Sequence, residues 1–239
     1  MLALDNVGVR YGGVDALRNV SITVEPRHVL GLIGPNGAGK TTLINATTGL
    51  APLASGTIKL DDKRIDGQAP HRIARAGIAR TYQNIRLFGA LDVRANLAAG
   101  AFARPGRLTP EELTTLLDRA GIPHADPTAK ASSLPYGDQR RLEIGRALAA
   151  APSVVMLDEP AAGMNPSETT RLVETIRAIA AAGIAVLLIE HDMTLVRAAC
   201  DSVVVLNFGE IIARGTPSEV ARDPVVVEAY LGTGAGALA

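Results

Sequence analysis

The 239-residue chain lacks tryptophan, and its four Tyr and three Phe make up only 3% of the residues. Few rings are therefore available to stack on the bases of single-stranded nucleic acid. Net charge is also lacking, because 24 Lys and Arg are balanced by 24 Asp and Glu. This balance argues against a protein that binds nucleic acid through a basic surface.

Cysteine and long apolar runs are equally scarce. Cys200 is the only cysteine, so no disulfide can form within the chain and a reducing compartment is expected. The apolar stretch at residues 180–189 is interrupted by Gly183 and falls short of the roughly 20 residues that a spanning helix needs. Residues 1–13 contain Asp5 and no long apolar run, so they do not predict a secretion signal.

Nearly continuous apolar runs predict buried strands at residues 28–33, 154–157 and 185–189. A helix is predicted at residues 40–50, after the first run, and an amphipathic helix containing Leu172 and Ile176 lies between the other two. Strands that alternate with helices predict an α/β fold built on a parallel sheet.

Two further patterns flank this sheet. Alternating apolar residues at 2–11 and 20–24 predict half-buried strands, paired antiparallel. Between Gln83 and Ser153 the pattern changes to short helices with no convincing strand, which predicts a helical insert. The predicted helices of this insert are residues 91–99, 109–121 and 138–150. Short helices are also predicted in the tail, one starting near Pro217 and one ending near Leu231, followed by frayed residues 232–236.

The glycine-rich loop after the first buried strand matches the phosphate-binding pattern G-x-x-x-x-G-K-[ST]. Its residues are Gly34, Pro35, Asn36, Gly37, Ala38, Gly39, Lys40, Thr41 and Thr42. Glycines let backbone N–H groups curl around a polyphosphate, Lys40 can reach the β- and γ-phosphates, and the Thr41 hydroxyl can bind Mg²⁺. The alternative is a glycine-rich turn with an accidental lysine, and the flanking strand and helix argue against it.

Two adjacent carboxylates, Asp158 and Glu159, follow the buried run at residues 154–157. They lie at the carboxyl end of a predicted parallel strand, where such sheets bind ligands. Asp158 is predicted to hold Mg²⁺, directly or through water, and Glu159 to polarise a water in line with the γ-phosphate. On their own the two residues would fit an ordinary acidic turn equally well.

Together these motifs resemble those of the ATP-binding-cassette (ABC) family of ATPases, over nearly the whole chain. The resemblance implies that Gln83 contacts Mg²⁺ and the attacking water. It also implies that His191 hydrogen-bonds the γ-phosphate and that Tyr11 stacks on adenine. Each of these three residues, standing alone, would have an ordinary structural explanation.

The chain departs from the usual family pattern in two places. The signature segment is usually Leu-Ser-Gly-Gly-Gln but here is Leu134-Pro135-Tyr136-Gly137-Asp138. Pro135 offers no hydroxyl to a phosphate, so only Gly137 and the first N–H groups of the next helix keep the phosphate-facing chemistry. In the loop after Glu159, Asn165 replaces the usual aspartate. The effect of both departures on hydrolysis stays open.

Several segments look like the ABC subgroup that serves branched-chain amino-acid importers. They are residues 80–88, 134–144, 161–169, 189–193 and 226–232. The resemblance implies one nucleotide-binding domain over residues 1–239, of the P-loop NTPase class, with a parallel α/β core and an antiparallel β subdomain. A helical subdomain would be inserted at about residues 84–152, and a C-terminal tail would span residues 215–239.

The resemblance also implies a working assembly with ATP and Mg²⁺ as cofactors. One phosphate loop and one signature per chain predict a two-fold pair with a second ABC ATPase subunit, identical or related. Transmembrane permease subunits are expected partners, a substrate-binding protein is an indirect one, and nucleic acid is not expected. The chain would be cytoplasmic, peripheral on the inner face of the plasma membrane. Importers of urea, short amides or other amino acids share much of this pattern.

Two other functions are compatible with the motifs. One is an ABC ATPase that acts on ribosomes or DNA, although such proteins usually carry two cassettes or long coiled-coil insertions. The other is a weakly hydrolysing regulatory subunit, which the altered signature allows.

Overall fold

The computed structural model describes residues 1–102, 104 and 106–231. The predicted fraying of residues 232–236 lies outside this range. Strands in the described residues are β1 (Leu2–Tyr11), β2 (Val14–Val24), β3 (Val29–Ile33), β4 (Ser55–Leu60), β5 (Lys63–Arg64), β6 (Ile78–Arg80), β7 (Val154–Asp158), β8 (Ala185–Ile189), β9 (Ser202–Asn207) and β10 (Glu210–Gly215). Helices are α1 (Lys40–Thr47), α2 (Pro70–Ala76), α3 (Val93–Ala101), α4 (Pro110–Arg119), α5 (Tyr136–Leu148), α6 (Pro166–Ala181), α7 (Met193–Ala199), α8 (Pro217–Val220) and α9 (Pro224–Leu231).

The central sheet has the strand order β10-β9-β3-β8-β7-β6, and all its neighbours are parallel except the β9–β10 pair. Its middle strands β3, β7 and β8 are buried at every residue, as expected for parallel strands covered on both faces. The predicted parallel core is therefore confirmed. Its carboxyl edge carries the phosphate loop after β3 and the two carboxylates at the end of β7.

A second, antiparallel sheet has the order β2-β1-β4-β5. The predicted antiparallel pairing of β1 with β2 is confirmed, but β2 starts at Val14 rather than at residue 20 because a tight hairpin joins it to Tyr11. Two apolar clusters hold the layers together, and alternate residues of each central strand serve different clusters. Leu30 and Leu32 of β3 face the antiparallel sheet and α1, whereas Val29 and Ile33 face the helices of the opposite layer.

Helices α3, α4 and α5 contact one another on that opposite layer. In the described part of residues 83–153 the only β pairing is an isolated bridge between Asp92 and Lys130, as the lack of strand patterns predicted. The predicted start of α4 is confirmed by a reciprocal cap between Thr109 and Glu112. Helix α5 begins at Tyr136 rather than at residue 138, with Pro135 at the position just before the helix.

Cys200 directly follows α7 and packs against β3 of the central sheet. It is 4% exposed, and burial raises the pKa of its thiol to about 12. A Cβ added to Gly31 of β3 would lie only 2.9 Å from the Cys200 sulfur, which explains why that strand carries glycine there. Among the described residues, no helix combines the length and apolar character needed to cross a membrane.

Candidate functional site

The loop between β3 and α1 depends on its glycines. Gly34, Gly37 and Gly39 have φ values of 148°, 80° and 108°, in the region that side chains with a Cβ rarely adopt. Space is also limiting, because a Cβ at Gly34 would lie 2.0 Å from the carbonyl oxygen of Leu206. The backbone of β9 therefore presses directly against the predicted phosphate loop and fixes its shape.

The side chain of Lys40 folds back onto the phosphate loop and is hydrogen-bonded to its backbone. Its Nζ donates to the carbonyl oxygens of Gly34 at 2.6 Å and Pro35 at 3.0 Å, and its side chain is buried. Burial lowers the pKa of the Lys40 ammonium, while the nearby carboxylates of Glu159 and Asp158 act in the opposite direction. The ammonium is thus held at the concave side of the loop, the position required to meet a polyphosphate.

Asp158, the last residue of β7, is buried and faces Arg80 of the neighbouring strand β6. Arg80 Nη2 lies 3.6 Å from a carboxylate oxygen of Asp158, and Arg80 Nη1 donates to the side-chain oxygen of Asn45 in α1. Burial raises the pKa of Asp158, and Arg80 is the strongest influence that lowers it. Arg80 belonged to no predicted site, because its sequence pattern does not distinguish it from a surface arginine.

Glu159 adopts a strained backbone conformation, with φ of +46°. Its N–H donates to the carbonyl oxygen of Ile189 at the end of β8, 3.0 Å away. Its carboxylate accepts a hydrogen bond from the side-chain amide of Gln83 at 2.8 Å and lies 3.9 Å from Nδ1 of His191. The structure therefore brings the three predicted catalytic residues together around one carboxylate.

A cleft of about 540 Å³ opens between the phosphate loop and these side chains. The predicted site residues that line it are Asn36, Gly37, Ala38, Gly39, Lys40, Thr41, Thr42, Gln83, Asp158 and Glu159. Of the predicted site residues that the structure describes, Gly34, Pro35, Tyr11, His191 and Gly137 do not line it. His191 does not line the cleft but lies next to Glu159, which does. The carbonyl oxygens of Gly34 and Pro35 accept hydrogen bonds from Lys40.

Three residues that carry oxygen ligands suited to Mg²⁺ line this cleft: Thr41 with its hydroxyl, Gln83 with its amide and Asp158 with its carboxylate. Among the described residues, no group of three or more His, Cys, Asp or Glu is arranged to hold a metal ion. One carboxylate with a hydroxyl and an amide is a donor set of the type that binds Mg²⁺ together with a phosphate ligand.

Two predicted residues lie apart from the cleft. Tyr11 is 49% exposed and pairs with Val14 across the β1–β2 hairpin, and Val14 lines the cleft entrance together with Phe208. Gly137 lies in the first turn of α5, packed so closely on Glu168 of α6 that a Cβ would lie 2.7 Å from its carboxylate. The adenine contact of Tyr11 and the phosphate contact of Gly137 stay predictions.

A buried ion pair that sequence reasoning missed joins the Gln83 segment to α5. Arg140 is completely buried, and its guanidinium donates to the carbonyl oxygens of Tyr82 at 2.7 Å and Gln83 at 2.6 Å. It also binds the Glu143 carboxylate at 3.0 Å, which in turn accepts the N–H of Arg86. Burial raises the pKa of Glu143. Two consecutive arginines followed by Glu143 were visible in the sequence, but nothing local indicated that these charges are buried.

Known proteins are similar to this chain over most of its length. A family model described as ABC transporter matches residues 17–162, which is more than half of the chain. The chain belongs to the ABC transporter family. A second model, described as branched-chain amino acid ATP-binding cassette transporter, matches residues 210–236 of the cassette. ATP-binding proteins of this family are ATPases coupled to transport.

Relatives of the cassette match it from end to end. The high-affinity branched-chain amino acid transport ATP-binding protein LivG of Salmonella typhimurium is 41% identical, over 97% of the cassette and 98% of LivG. BraF of Pseudomonas aeruginosa, which has the same description, is 40% identical with the same coverage. The lipopolysaccharide export system ATP-binding protein LptB of Escherichia coli is 35% identical, over 97% of each chain.

Solved structures agree with the fold. A cassette of an ABC transporter in its ADP conformation superposes with a TM-score of 0.87 at 32% identity, covering 97% of this cassette and 98% of that chain. A nucleotide-free cassette gives 0.85 at 31% identity, covering 96% and 98%. The predicted P-loop ABC ATPase fold is therefore confirmed.

Replacing Arg140 by methionine should lower the free energy of unfolding by roughly 3–5 kcal/mol, because Glu143 would stay buried with only Arg146, 3.8 Å away, in place of the closer Arg140. The double variant Arg140→Met/Glu143→Leu should be more stable than the single variant, since it removes the buried carboxylate, but it should stay below wild type because the carbonyl oxygens of Tyr82 and Gln83 still lack their donor. Urea denaturation measures both, with Arg72→Met on the exposed face of α2 as the matched control. A double variant as unstable as the single one would contradict this account of the pair.

Tyr11→Ala should weaken ATP binding about three- to tenfold, the range expected for one lost aromatic stack, and leave tripolyphosphate binding unchanged. Tyr11→Phe should bind ATP normally, since it keeps the ring. Phe208→Ala, at the cleft entrance, is the comparison variant in the same titrations. If Phe208→Ala weakens ATP binding and Tyr11→Ala does not, the adenine contact would be assigned to Phe208 and the prediction for Tyr11 would be wrong.

Proposed function

We propose that the cassette binds and hydrolyses ATP in the cleft described above and thereby energises the import of branched-chain amino acids. The observation that carries the proposal is the convergence of Gln83, Asp158 and Glu159 on one side of a cleft whose other side is the phosphate loop. The cargo is supported by the names of LivG and BraF and by the match of residues 210–236.

In this proposal the residues divide the chemistry among themselves. Lys40 and the loop N–H groups bind the phosphates of ATP, and Thr41, Gln83 and Asp158 hold Mg²⁺. When bound, Mg²⁺ would neutralise charge on the β- and γ-phosphates. Glu159 takes a proton from the attacking water, and its strained backbone and its contacts with Gln83 and His191 fix the direction of its carboxylate. His191 and Gly137 would contact the γ-phosphate, the latter from a second ATPase subunit.

A groove of about 800 Å³ between α2, α3 and α5 supports coupling to a permease. Exposed apolar side chains line it, with Leu50 at 55%, Phe88 at 53% and Phe102 at 84% exposure. Tyr82, next to Gln83, also lines it, and Arg140 binds the carbonyl oxygens of both residues. A cytoplasmic segment of a permease in this groove would therefore contact the same segment that carries Gln83 to the ATP site.

The remaining organisation is proposed with it. The cassette would form one nucleotide-binding domain with a helical subdomain at about residues 84–152 and a tail at residues 215–239. It would pair with a second ATPase subunit on the inner face of the plasma membrane, with a substrate-binding protein delivering cargo on the other side. Binding to nucleic acid is not part of this proposal.

Glu159→Gln should slow ATP turnover by roughly 10²-fold or more while ATP binding persists, because the variant keeps the shape of the side chain but loses its proton-accepting charge. Lys40→Ala should instead weaken ATP binding itself. Equilibrium nucleotide binding and phosphate release separate the two defects. Nearly unchanged hydrolysis by Glu159→Gln would remove the role assigned to Glu159, and undiminished binding by Lys40→Ala would remove the phosphate-loop assignment.

Co-purification with membrane proteins tests the transport role. The tagged cassette, expressed in its own host, should retain two multi-spanning permease subunits through detergent extraction. Phe88→Asp and Phe102→Asp should reduce this retention, whereas Phe208→Asp, outside the groove, should not. Retention of ribosomes or DNA in place of permeases would favour the non-transport alternative.

A further inference from the structure

Tyr136 occupies a position of the signature segment where the usual family sequence has glycine, and its side chain makes a specific contact. The Tyr136 hydroxyl donates to the carbonyl oxygen of Ala162 at 2.9 Å. A Cβ built on Gly163 would lie 3.3 Å from the tyrosine ring, so the ring packs over this part of the backbone. The contact joins the start of α5 to residues 161–164, which follow Glu159 and are called the linking loop below.

Glu190 holds the other side of the linking loop. It directly follows β8 and is only 2% exposed, and burial raises the pKa of its carboxyl group. One carboxylate oxygen accepts the N–H of Ala161 at 3.1 Å, and the other accepts the N–H of His191 at 3.2 Å. A single buried side chain thus connects the linking loop to the residue that contacts Glu159.

These contacts form a continuous path within one subunit. It runs from Tyr136 to Ala162, through the adjoining residue Ala161 to Glu190, and from Glu190 to His191. His191 Nδ1 lies 3.9 Å from a carboxylate oxygen of Glu190 and equally far from one of Glu159. Hydrogen bonds therefore connect the signature segment to His191 through the linking loop and Glu190, and His191 approaches the Glu159 carboxylate to 3.9 Å.

Stability alone does not account for this path. A buried carboxylate costs free energy that two N–H donors offset only in part, and a tyrosine that is 44% exposed would find water for its hydroxyl without the loop. Both side chains instead hold the linking loop at fixed positions relative to α5 and to His191, which is the property needed to transmit a small displacement.

We propose that Tyr136 and Glu190 are positioning residues that couple engagement of the signature segment to the alignment of Glu159 and His191 in the same subunit. The inference rests on the proposed function, in which the signature faces the nucleotide of the second subunit and Glu159 faces the subunit's own nucleotide. The path then makes hydrolysis at one ATP depend on the closure of the subunit around the other.

Amide hydrogen exchange of the full-length chain tests the path without turnover. Tyr136→Phe keeps the ring but removes the hydroxyl, and it should speed exchange in residues 161–164 and also in residues 189–193 by about two- to tenfold. In a Glu190→Gln background, adding Tyr136→Phe should no longer change exchange in residues 189–193. Ser133→Ala, which removes a hydroxyl bonded to the nearby Lys130 carbonyl, is the control and should change neither segment. An effect of Tyr136→Phe confined to residues 161–164 would overturn the proposal.

Steady-state hydrolysis by the assembled transporter gives the second readout. Tyr136→Phe and Glu190→Gln should each lower kcat about three- to tenfold with KM for ATP and the melting temperature close to wild type. Losses that follow the melting temperature, or a kcat within twofold of wild type, would count against positioning. Glu159→Gln in the same assay separates the two proposals: if it also hydrolyses normally, the proposed function fails, and if it alone is slow, only the coupling inference fails.

Discussion

The parallel register of β3, β7 and β8 is the constraint on which the site depends. Asp158 pairs with Ile189, which also pairs with Leu32, so three strand ends lie side by side at one edge of the sheet. The phosphate loop follows β3, Asp158 ends β7 and is followed by Glu159, and His191 lies two residues after the end of β8. A shift of one residue in any pairing would turn the adjoining side chains to the other face and separate the groups that surround the cleft.

Charge is buried where segments from different layers must stay together. Arg140 holds the Gln83 segment against α5, and Arg80 bridges Asp158 and α1, although both guanidinium groups carry a desolvation cost. Each guanidinium group binds several oxygen acceptors in fixed directions at the same time, which an apolar side chain could not do. A disturbance of the apolar groove beside Tyr82 therefore has a short polar route to the nucleotide cleft.

Features that depend on neighbouring residues in the chain could be predicted from the sequence. Roles that depend on the burial of a residue against distant partners could not. The glycine-rich loop, the apolar strands and the acidic pair after residue 157 predicted the core and the cleft, because each depends on neighbours in the chain. Strand β9 is not among the predicted strands although its apolar run is visible, whereas β4 mixes polar and apolar residues and β6 has only three residues. The residues next to Arg80 and Arg140 in the chain do not distinguish either from a surface arginine. The groups that bury them, such as Asp158 and Asn45 for Arg80 and the Tyr82 and Gln83 carbonyls for Arg140, are distant in sequence. Helix α5 begins two residues before the predicted start at residue 138, because Pro135 occupies the position just before the helix.

Cys200 gives the molecule a practical property. Its thiol is shielded under β3 and stays protonated at neutral pH, so it is a poor nucleophile toward maleimides and similar reagents. The protein therefore has little native thiol reactivity that would compete with site-specific labelling of an introduced cysteine. One cysteine introduced on α3 and another on α6 would accept a dye pair or spin labels without prior removal of the native thiol. Distances between helices could then be followed through a catalytic cycle in an otherwise unaltered protein.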